Sequence, residues 1–187
     1  MQMTPAASVQ LDLFGTPALA RKKSTTTTTF DACKENVILG DSNLEDFKHS
    51  SCSVLSHANG RLSHYKALLA TTRNIHEHVQ RFFICLSTLD SANNFATNST
   101  ALKSLLGAAH RVFPKAQLFV MLLGYDPLLP PEMRNNIQAL NNFVICKHPS
   151  SCLHVAAPQD FSVQNHQWSA AVRQSVYNKL SNSLNYK

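Results

Sequence analysis

A serine placed directly after a short apolar run is the first residue of the chain that could act as a nucleophile. Residues 37–39 are apolar and are followed by Gly40-Asp41-Ser42-Asn43, so Ser42 is predicted at the carboxyl end of a buried strand. A catalytic serine needs such a turn, where its hydroxyl is reachable and backbone N–H groups can hold an oxyanion. The same turn suits a serine that caps the next helix. The sequence therefore leaves both roles open for Ser42.

Short apolar runs recur through the rest of the chain. They lie at residues 82–86 and 118–123 and, more weakly, at 153–156, and the intervals between them are about 30 to 45 residues. The runs do not alternate with polar residues, which favours strands buried on both faces of a parallel sheet. A further short strand is indicated near residues 52–55.

Apolar side chains at helical spacing predict helices between and after these strands, at residues 62–69, 102–109, 132–144 and 168–184. Alternation of strand and helix predicts an α/β fold, a three-layer α/β/α sandwich with a parallel sheet of about five strands. Ligands bind such sheets at the carboxyl ends of the strands. We expect this domain to occupy residues 35–187 and residues 1–34 to form a flexible tail, because the tail has little apolar periodicity.

The sequence blocks resemble those of the SGNH (GDSL-like) hydrolases, in the order of that family. Residues 37–44 resemble the first block. Residues 56–64 resemble the second, in which family members carry a glycine whose N–H helps to bind the oxyanion. Residues 83–90 resemble the third strand with its Gly-x-Asn-Asp ending. The resemblance covers residues 35–187. Within the family, the chain resembles the SGNH-like reading frames of vertebrate retroelements. It implies an SGNH/flavodoxin-like fold and hydrolysis of a small ester or acyl group.

The same resemblance implies a role for each candidate site residue. Ser42 would be the nucleophile, and His166 would be the base that takes and returns its proton. The oxyanion would be held by the N–H of Ser42 together with that of Asn59 or Gly60. Asp160 would orient the base if its carboxylate reaches the imidazole.

Two departures from the family pattern weaken this enzymatic interpretation. Leu89 stands where the family has the asparagine that donates to the oxyanion, so Asn93 or Asn94 would have to substitute for it. Loss of one such donor typically costs about 10²- to 10³-fold in rate. Val163 stands where the family has the acid of its Asp-x-x-His motif, and Asp160 lies six residues before the histidine. A base without an orienting acid is held less well.

The charge of the chain is consistent with a second interpretation. There are 17 Lys and Arg against 11 Asp and Glu, a formal charge of +6, which allows weak binding to phosphates or acidic surfaces. The single basic run is Arg21-Lys22-Lys23, and no groove-reading motif is present. The alternative to an enzyme is a non-catalytic SGNH-fold interaction module, associated with a retroelement or with nucleic acid.

The sequence indicates no cofactor, metal or membrane partner. The five cysteines include no CxxC pair, and His76-Glu77-His78 lacks the i, i+4 spacing of a helical metal pair. We expect these histidines and His64 to be solvated. No apolar stretch approaches the roughly 18 residues that cross a bilayer, and residues 1–20 lack the pattern of a secretory signal. These observations predict an intracellular protein.

A short motif in the tail suggests a third interpretation. Gln10-Leu11-Asp12-Leu13-Phe14 resembles the peptide by which bacterial replication and repair proteins dock onto the sliding clamp. Leu13 and Phe14 could enter an apolar pocket while Gln10 makes a polar contact. The motif would make the chain a clamp-binding accessory protein, whose tail peptide binds the partner.

Overall fold

The computed structural model describes residues 34–124, 127–154, 163–164 and 167–185. Five parallel strands form one sheet in the order β2-β1-β3-β4-β5. They are β1 (Asn36–Asp41), β2 (Cys52–His57), β3 (Arg81–Cys85), β4 (Gln117–Met121) and β5 (Cys152–Leu153). The helices are α1 (Leu62–Thr71), α2 (Phe95–Val112), α3 (Pro131–Lys147) and α4 (Ala170–Asn185). The predicted α/β fold with five parallel strands is confirmed.

A small antiparallel pair, β6 (Val163–Gln164) and β7 (Gln167–Trp168), precedes α4. The prediction that the last helix begins at Trp168 is wrong, because Trp168 pairs with Val163 and the helix begins at Ala170. Strands of two residues leave no recognisable periodicity in a sequence, so this pair was not predicted.

The continuous apolar character of the strands follows from helices on both faces of the sheet. Successive residues of a strand point to opposite faces. In β1, Val37 and Leu39 belong to the core formed with α1, α2 and α3, whereas Ile38 belongs to the core formed with α4. All three side chains are fully buried. The result is a three-layer sandwich with three helices on one face and one on the other.

The end of α4 is fixed at the amino edge of the sheet. Arg81, the first residue of β3, donates from Nη1 to the carbonyl oxygens of Ser183 (2.9 Å) and Leu184 (3.1 Å). A cation at the last carbonyls of a helix also interacts favourably with the helix dipole. Helix α4 therefore begins near the opposite, carboxyl edge. Among the described residues, no helix has the length and apolar character needed to cross a membrane.

The strand order places the candidate chemistry at one edge of the sheet. Strand order reverses between β1 and β3, and open sheets of this topology bind ligands in the crevice at that point, outside the carboxyl ends of the strands. Ser42 follows β1 directly, and the segment that begins at Leu86 follows β3. The motif serine therefore lies at the edge where this topology forms its binding crevice.

Candidate active site

Ser42 is the first residue of a single 3₁₀ turn, Ser42–Leu44, which directly follows β1. The cap of this turn is Asp41, whose Oδ1 accepts from the backbone N–H of Asn43 at 3.0 Å. The sequence left open a capping role for Ser42 itself, but here the neighbouring carboxylate is the capping group. Ser42 is half-buried, whereas Asp41 and Asn43 are buried on either side of it.

The glycine of the motif lies in a tightly packed position. A Cβ at Gly40 would meet Cδ1 of Leu44 and would lie 3.1 Å from Cβ of Cys85 on β3. Separations this short force a shift of the neighbouring atoms. Gly40 therefore allows the Ser42 turn to pack closely against the end of β3.

The second block forms a tight turn beside the first. In the parallel register Asp41 is opposite His57, the last residue of β2, so the chain leaves the sheet at the same level in both strands. Asn59 has a φ of 62°, in the left-handed region that asparagine tolerates better than most residues. The N–H of Gly60 donates to the carbonyl of His57 at 2.8 Å. The Gly60 N–H thus already has an acceptor within its own turn.

A buried carboxylate connects the third block to the start of α1. Asp90 lies in the 3₁₀ turn Thr88–Ala92 after β3, and its Oδ1 and Oδ2 are each 3.3 Å from the backbone nitrogen of Leu62. Burial raises the pKa of Asp90 to about 6. The N–H of Leu62 and the charge of Arg61 act in the opposite direction, and Asp41 raises it further. Asp90 therefore anchors the N-terminus of α1 at this edge of the sheet.

The two asparagines considered as substitutes for the missing amide take part in the start of α2. Asn94 is the N-cap of the helix, and its Oδ1 accepts from the N–H of Thr97 at 2.9 Å. Asn93 donates to Oδ1 of buried Asn98 at 3.4 Å. Leu89, where the family has its asparagine, supplies its backbone N–H to Oγ of Ser87 at 3.2 Å. The structure therefore gives Asn93 and Asn94 structural contacts at the helix start.

Long-range hydrogen bonds join the Ser42 turn to the segment around α4. Oδ1 of Asn43 accepts from the backbone N–H of Trp168 at 2.8 Å, across 125 residues of sequence. Nδ2 of the same asparagine donates to Oδ1 of Asp41 at 2.9 Å. The hydroxyl of Tyr177 on α4 donates to the carbonyl of Asn43 at 2.8 Å. The Ser42 turn is thus in direct contact with β7 and with α4.

The predicted base and its partner, His166 and Asp160, lie outside the described residues, as does the tail motif from Gln10 to Phe14. Their assigned roles stay predictions. Val163, at the position of the family's acid, is in β6 and pairs with Trp168 of β7. The sequence between these strands consists of Asn165 and His166.

Two histidines and a buried tyrosine make contacts near the Asn59 turn that the sequence does not indicate. The rings of His57 and His64 stack with centroids 5.4 Å apart, and Nδ1 of His64 is 3.1 Å from the carbonyl oxygen of Asn59. His64 is exposed, as its sequence context predicts. Tyr65 is fully buried, and its hydroxyl has no hydrogen-bond partner among the described residues. Helical spacing predicted the burial of Tyr65 but carries no information on these contacts.

The contacts of Asn43 and Tyr177 could not be predicted from the sequence. In the sequence, the position of Asn43 next to the candidate nucleophile is the one signal of its contacts. Tyr177 lies one residue away from the apolar positions of α4 and has no distinguishing pattern. Both act through contacts across more than 100 residues of sequence, which residue spacing does not encode.

Comparisons with known proteins agree with this architecture. A lipolytic protein of the G-D-S-L family from Veillonella parvula is similar with a TM-score of 0.64 and 9% identity, over 82% of this chain and 100% of that chain. The native M. smegmatis aryl esterase is similar with a TM-score of 0.57 and 12% identity, over 81% and 98%. The OSK domain of Drosophila Oskar is similar with a TM-score of 0.58 and 12% identity, over 80% of this chain and 88% of that chain.

No protein-family model matches the chain, and no curated protein matches it in sequence. The structural similarities come at 9% to 12% identity, so they show the fold. The chain has the fold of the SGNH (GDSL) hydrolases and esterases, as the sequence blocks predicted. Two of the three proteins are named for lipolytic or esterase activity, and the third is named as a domain.

Proposed function

We propose that the domain is a serine hydrolase of the SGNH type that acts on a small ester or acyl group. The observation that carries this proposal is the parallel register of β1 and β2, which sets Asp41 opposite His57. Because the strands end at the same level, the Ser42 turn and the turn at Asn59 emerge side by side at the carboxyl edge. A nucleophile and backbone donors close to it are the two parts that acyl transfer requires.

Ser42 attacks the carbonyl carbon of the ester, and His166 removes the proton of its hydroxyl. The backbone N–H groups of Ser42 and Asn59 hold the developing oxyanion. We assign Asn59 rather than Gly60, because the Gly60 N–H already donates to His57. His166 then protonates the leaving alcohol, and an acyl ester remains on Ser42. Water, deprotonated by His166, cleaves this ester and releases the acid. Asp160 orients His166 in this proposal.

A fluorophosphonate probe tests this function without knowledge of the substrate, because it phosphonylates an activated serine. We expect labelling of the purified chain at neutral pH and none of the Ser42→Ala variant. Ser183→Ala is the matched control, since Ser183 lies at the opposite edge of the sheet beside Arg81, and it should label like the unmodified chain. A folded chain that resists the probe would refute the hydrolase.

A second candidate function, binding of a polyanion such as a nucleic acid, is favoured by one feature of the β2–α1 region. Residues 47–76 contain no Asp or Glu, but contain two lysines, two arginines and four histidines. Lys66 and Arg73 of this stretch are exposed. Basic side chains concentrated in a stretch of sequence that contains no acid favour binding to phosphates. This function would not require Ser42 to react, which fits the missing asparagine at Leu89.

A salt series on a single-stranded oligonucleotide tests this candidate. Phosphate contacts make the logarithm of the binding constant fall linearly with the logarithm of the salt concentration. Lys66→Glu should weaken binding and reduce that slope. Lys179→Glu makes the same charge change at an exposed position on α4, across the sheet, and should have the smaller effect. Equal effects of the two variants would show that only net charge matters and would reject a dedicated surface.

A further inference from the structure

The side chain of Asn43 is a hydrogen-bonded bridge between the nucleophile turn and the segment before α4. Its amide oxygen accepts from the N–H of Trp168, and its amide nitrogen donates to the carboxylate of Asp41. Both distances, 2.8 and 2.9 Å, are those of good hydrogen bonds. The residue is 2% exposed, so little water is available to replace either contact.

The two ends of this bridge require opposite hydrogen-bonding characters. The Trp168 end offers a donor, and the Asp41 end offers a buried acceptor. Among side chains of this size only asparagine presents an acceptor and a donor on one rigid planar group. A leucine would leave the Trp168 N–H and one lone pair of the carboxylate unpaired, and such buried groups cost about 1–3 kcal/mol each. Asparagine is therefore specified by chemistry as well as by size.

The bridge acts on the part of the chain where the acid of the family pattern is missing. Val163 occupies that position and has no carboxylate, and it pairs with Trp168 in the β6–β7 pair. Trp168 is in turn held by Asn43, the residue adjacent to Ser42. Strand β7, which follows His166 in the sequence, is thus anchored at the nucleophile turn through a backbone amide.

We propose that Asn43 is a positioning residue: it holds β7, the strand that directly follows the predicted base in the sequence, against the nucleophile turn and so replaces part of the orienting role of the missing acid. This inference rests on the proposed hydrolase function for its catalytic consequence. Its structural consequence, protection of the Trp168 N–H by Asn43, can be measured separately. Misplacement of a reacting group by about 1 Å costs on the order of 10²-fold in rate, so the effect of losing the bridge should be large.

The catalytic consequence is tested by the kinetics of fluorophosphonate labelling of the full chain. Asn43→Ala should lower the maximal labelling rate constant by about 10- to 100-fold, with little change in the probe concentration that gives half-maximal rate. Unfolding would instead lower the final labelled fraction. Asn36→Ala is the matched control, because it removes an equally buried asparagine whose side chain donates to Ser51 at the amino end of β1, and its rate constant should stay within about threefold of the unmodified chain. Asn43→Ala labelling at the unmodified rate would overturn the proposal.

Hydrogen exchange of the Trp168 amide supplies a readout that needs no activity, and its first measurement uses the unmodified chain alone. In the unmodified chain we expect this amide to exchange at least about 100-fold more slowly than in an unstructured peptide. The folded Asn43→Ala variant should lose that protection, whereas Asn36→Ala should keep it. An unprotected Trp168 amide in the unmodified chain would refute the bridge itself. A protected amide in a chain that the probe does not label would sustain the bridge and reject the hydrolase.

Discussion

Both carboxylate oxygens of Asp90 lie 3.3 Å from the backbone nitrogen of Leu62, the first residue of α1. The carboxylate is 1% exposed, so the fold removes a charge from water in order to fix the start of this helix. The contact joins the third block to the second. It also makes the stability of the domain dependent on pH.

Asp90→Asn should flatten this pH dependence. The pKa of Asp90 rises from 3.8 in the unfolded chain to about 6 in the folded one, so its protonated form stabilises the fold. This contribution to the free energy of unfolding is complete below about pH 4 and is lost as the pH rises through about 6. It amounts to at most about 3 kcal/mol. Urea unfolding at pH 4, 5, 6 and 7 should show that the stability of Asp90→Asn relative to the unmodified chain increases with pH. Parallel pH curves for the two proteins would contradict the assignment.

Gly60→Ala should destabilise the domain by about 1–3 kcal/mol. Its Cβ would meet Oη of Tyr65 and lie 2.7 and 2.8 Å from Cε1 and Cζ of the same buried ring. Gly107→Ala is a matched control in the middle of α2, where a Cβ has no atom within 4 Å. It should raise the free energy of unfolding by about 0.5–1 kcal/mol. Chemical unfolding of the two variants should therefore give changes of opposite sign, and equal changes would disprove the clash.

Tyr65→Phe should leave stability unchanged or raise it. The Tyr65 hydroxyl has no partner among the described residues, and burial raises its pKa, so it stays protonated at neutral pH. A buried polar group without a hydrogen bond destabilises the fold, so removing the hydroxyl removes that destabilisation. Tyr177→Phe removes a hydroxyl that donates to Asn43 at 2.8 Å and should cost about 1 kcal/mol. Thermal denaturation of both variants would refute this account if Tyr65→Phe were the less stable.

His166→Ala should lower the rate of fluorophosphonate labelling by about 10²- to 10⁴-fold, the usual contribution of a general base. Asp160→Asn should have a smaller effect, because an orienting group acts through the base. Labelling rates measured from pH 5 to 9 would separate the two variants. If Asp160→Asn equals the unmodified chain at every pH, Asp160 does not orient the base.

The strands β1, β3 and β4 could be predicted from the sequence, because helices cover both faces of the sheet and the central positions of these strands are apolar without alternation. Strand β2 lies at the edge of the sheet, and its side chains are mostly half-buried. Its composition is correspondingly mixed, and the sequence indicated it only faintly. The β6–β7 pair contributes two residues per strand, which is shorter than any period that could reveal it.

The candidate site was predictable to the extent that it is local. Ser42 follows a buried strand, so its place at the carboxyl edge follows from the sequence alone. The bond from Trp168 to Asn43 depends on how the chain closes after 125 residues, and neither residue carries a pattern that indicates it. The same holds for Asp90 and Leu62, whose contact requires that α1 begins over the end of β3.

Among the described residues, α4 is the one helix on its face of the sheet, and this has a consequence for how the chain is made. Ile38, Phe83 and Met121 are covered by α4, and α4 follows every strand of the sheet in sequence. A ribosome therefore releases all five strands and the helices of the other face before the cover for these side chains has emerged. The nascent domain carries an open apolar face at that stage, which makes it a target for aggregation and for chaperones. Its solubility during synthesis is determined by how soon α4 docks.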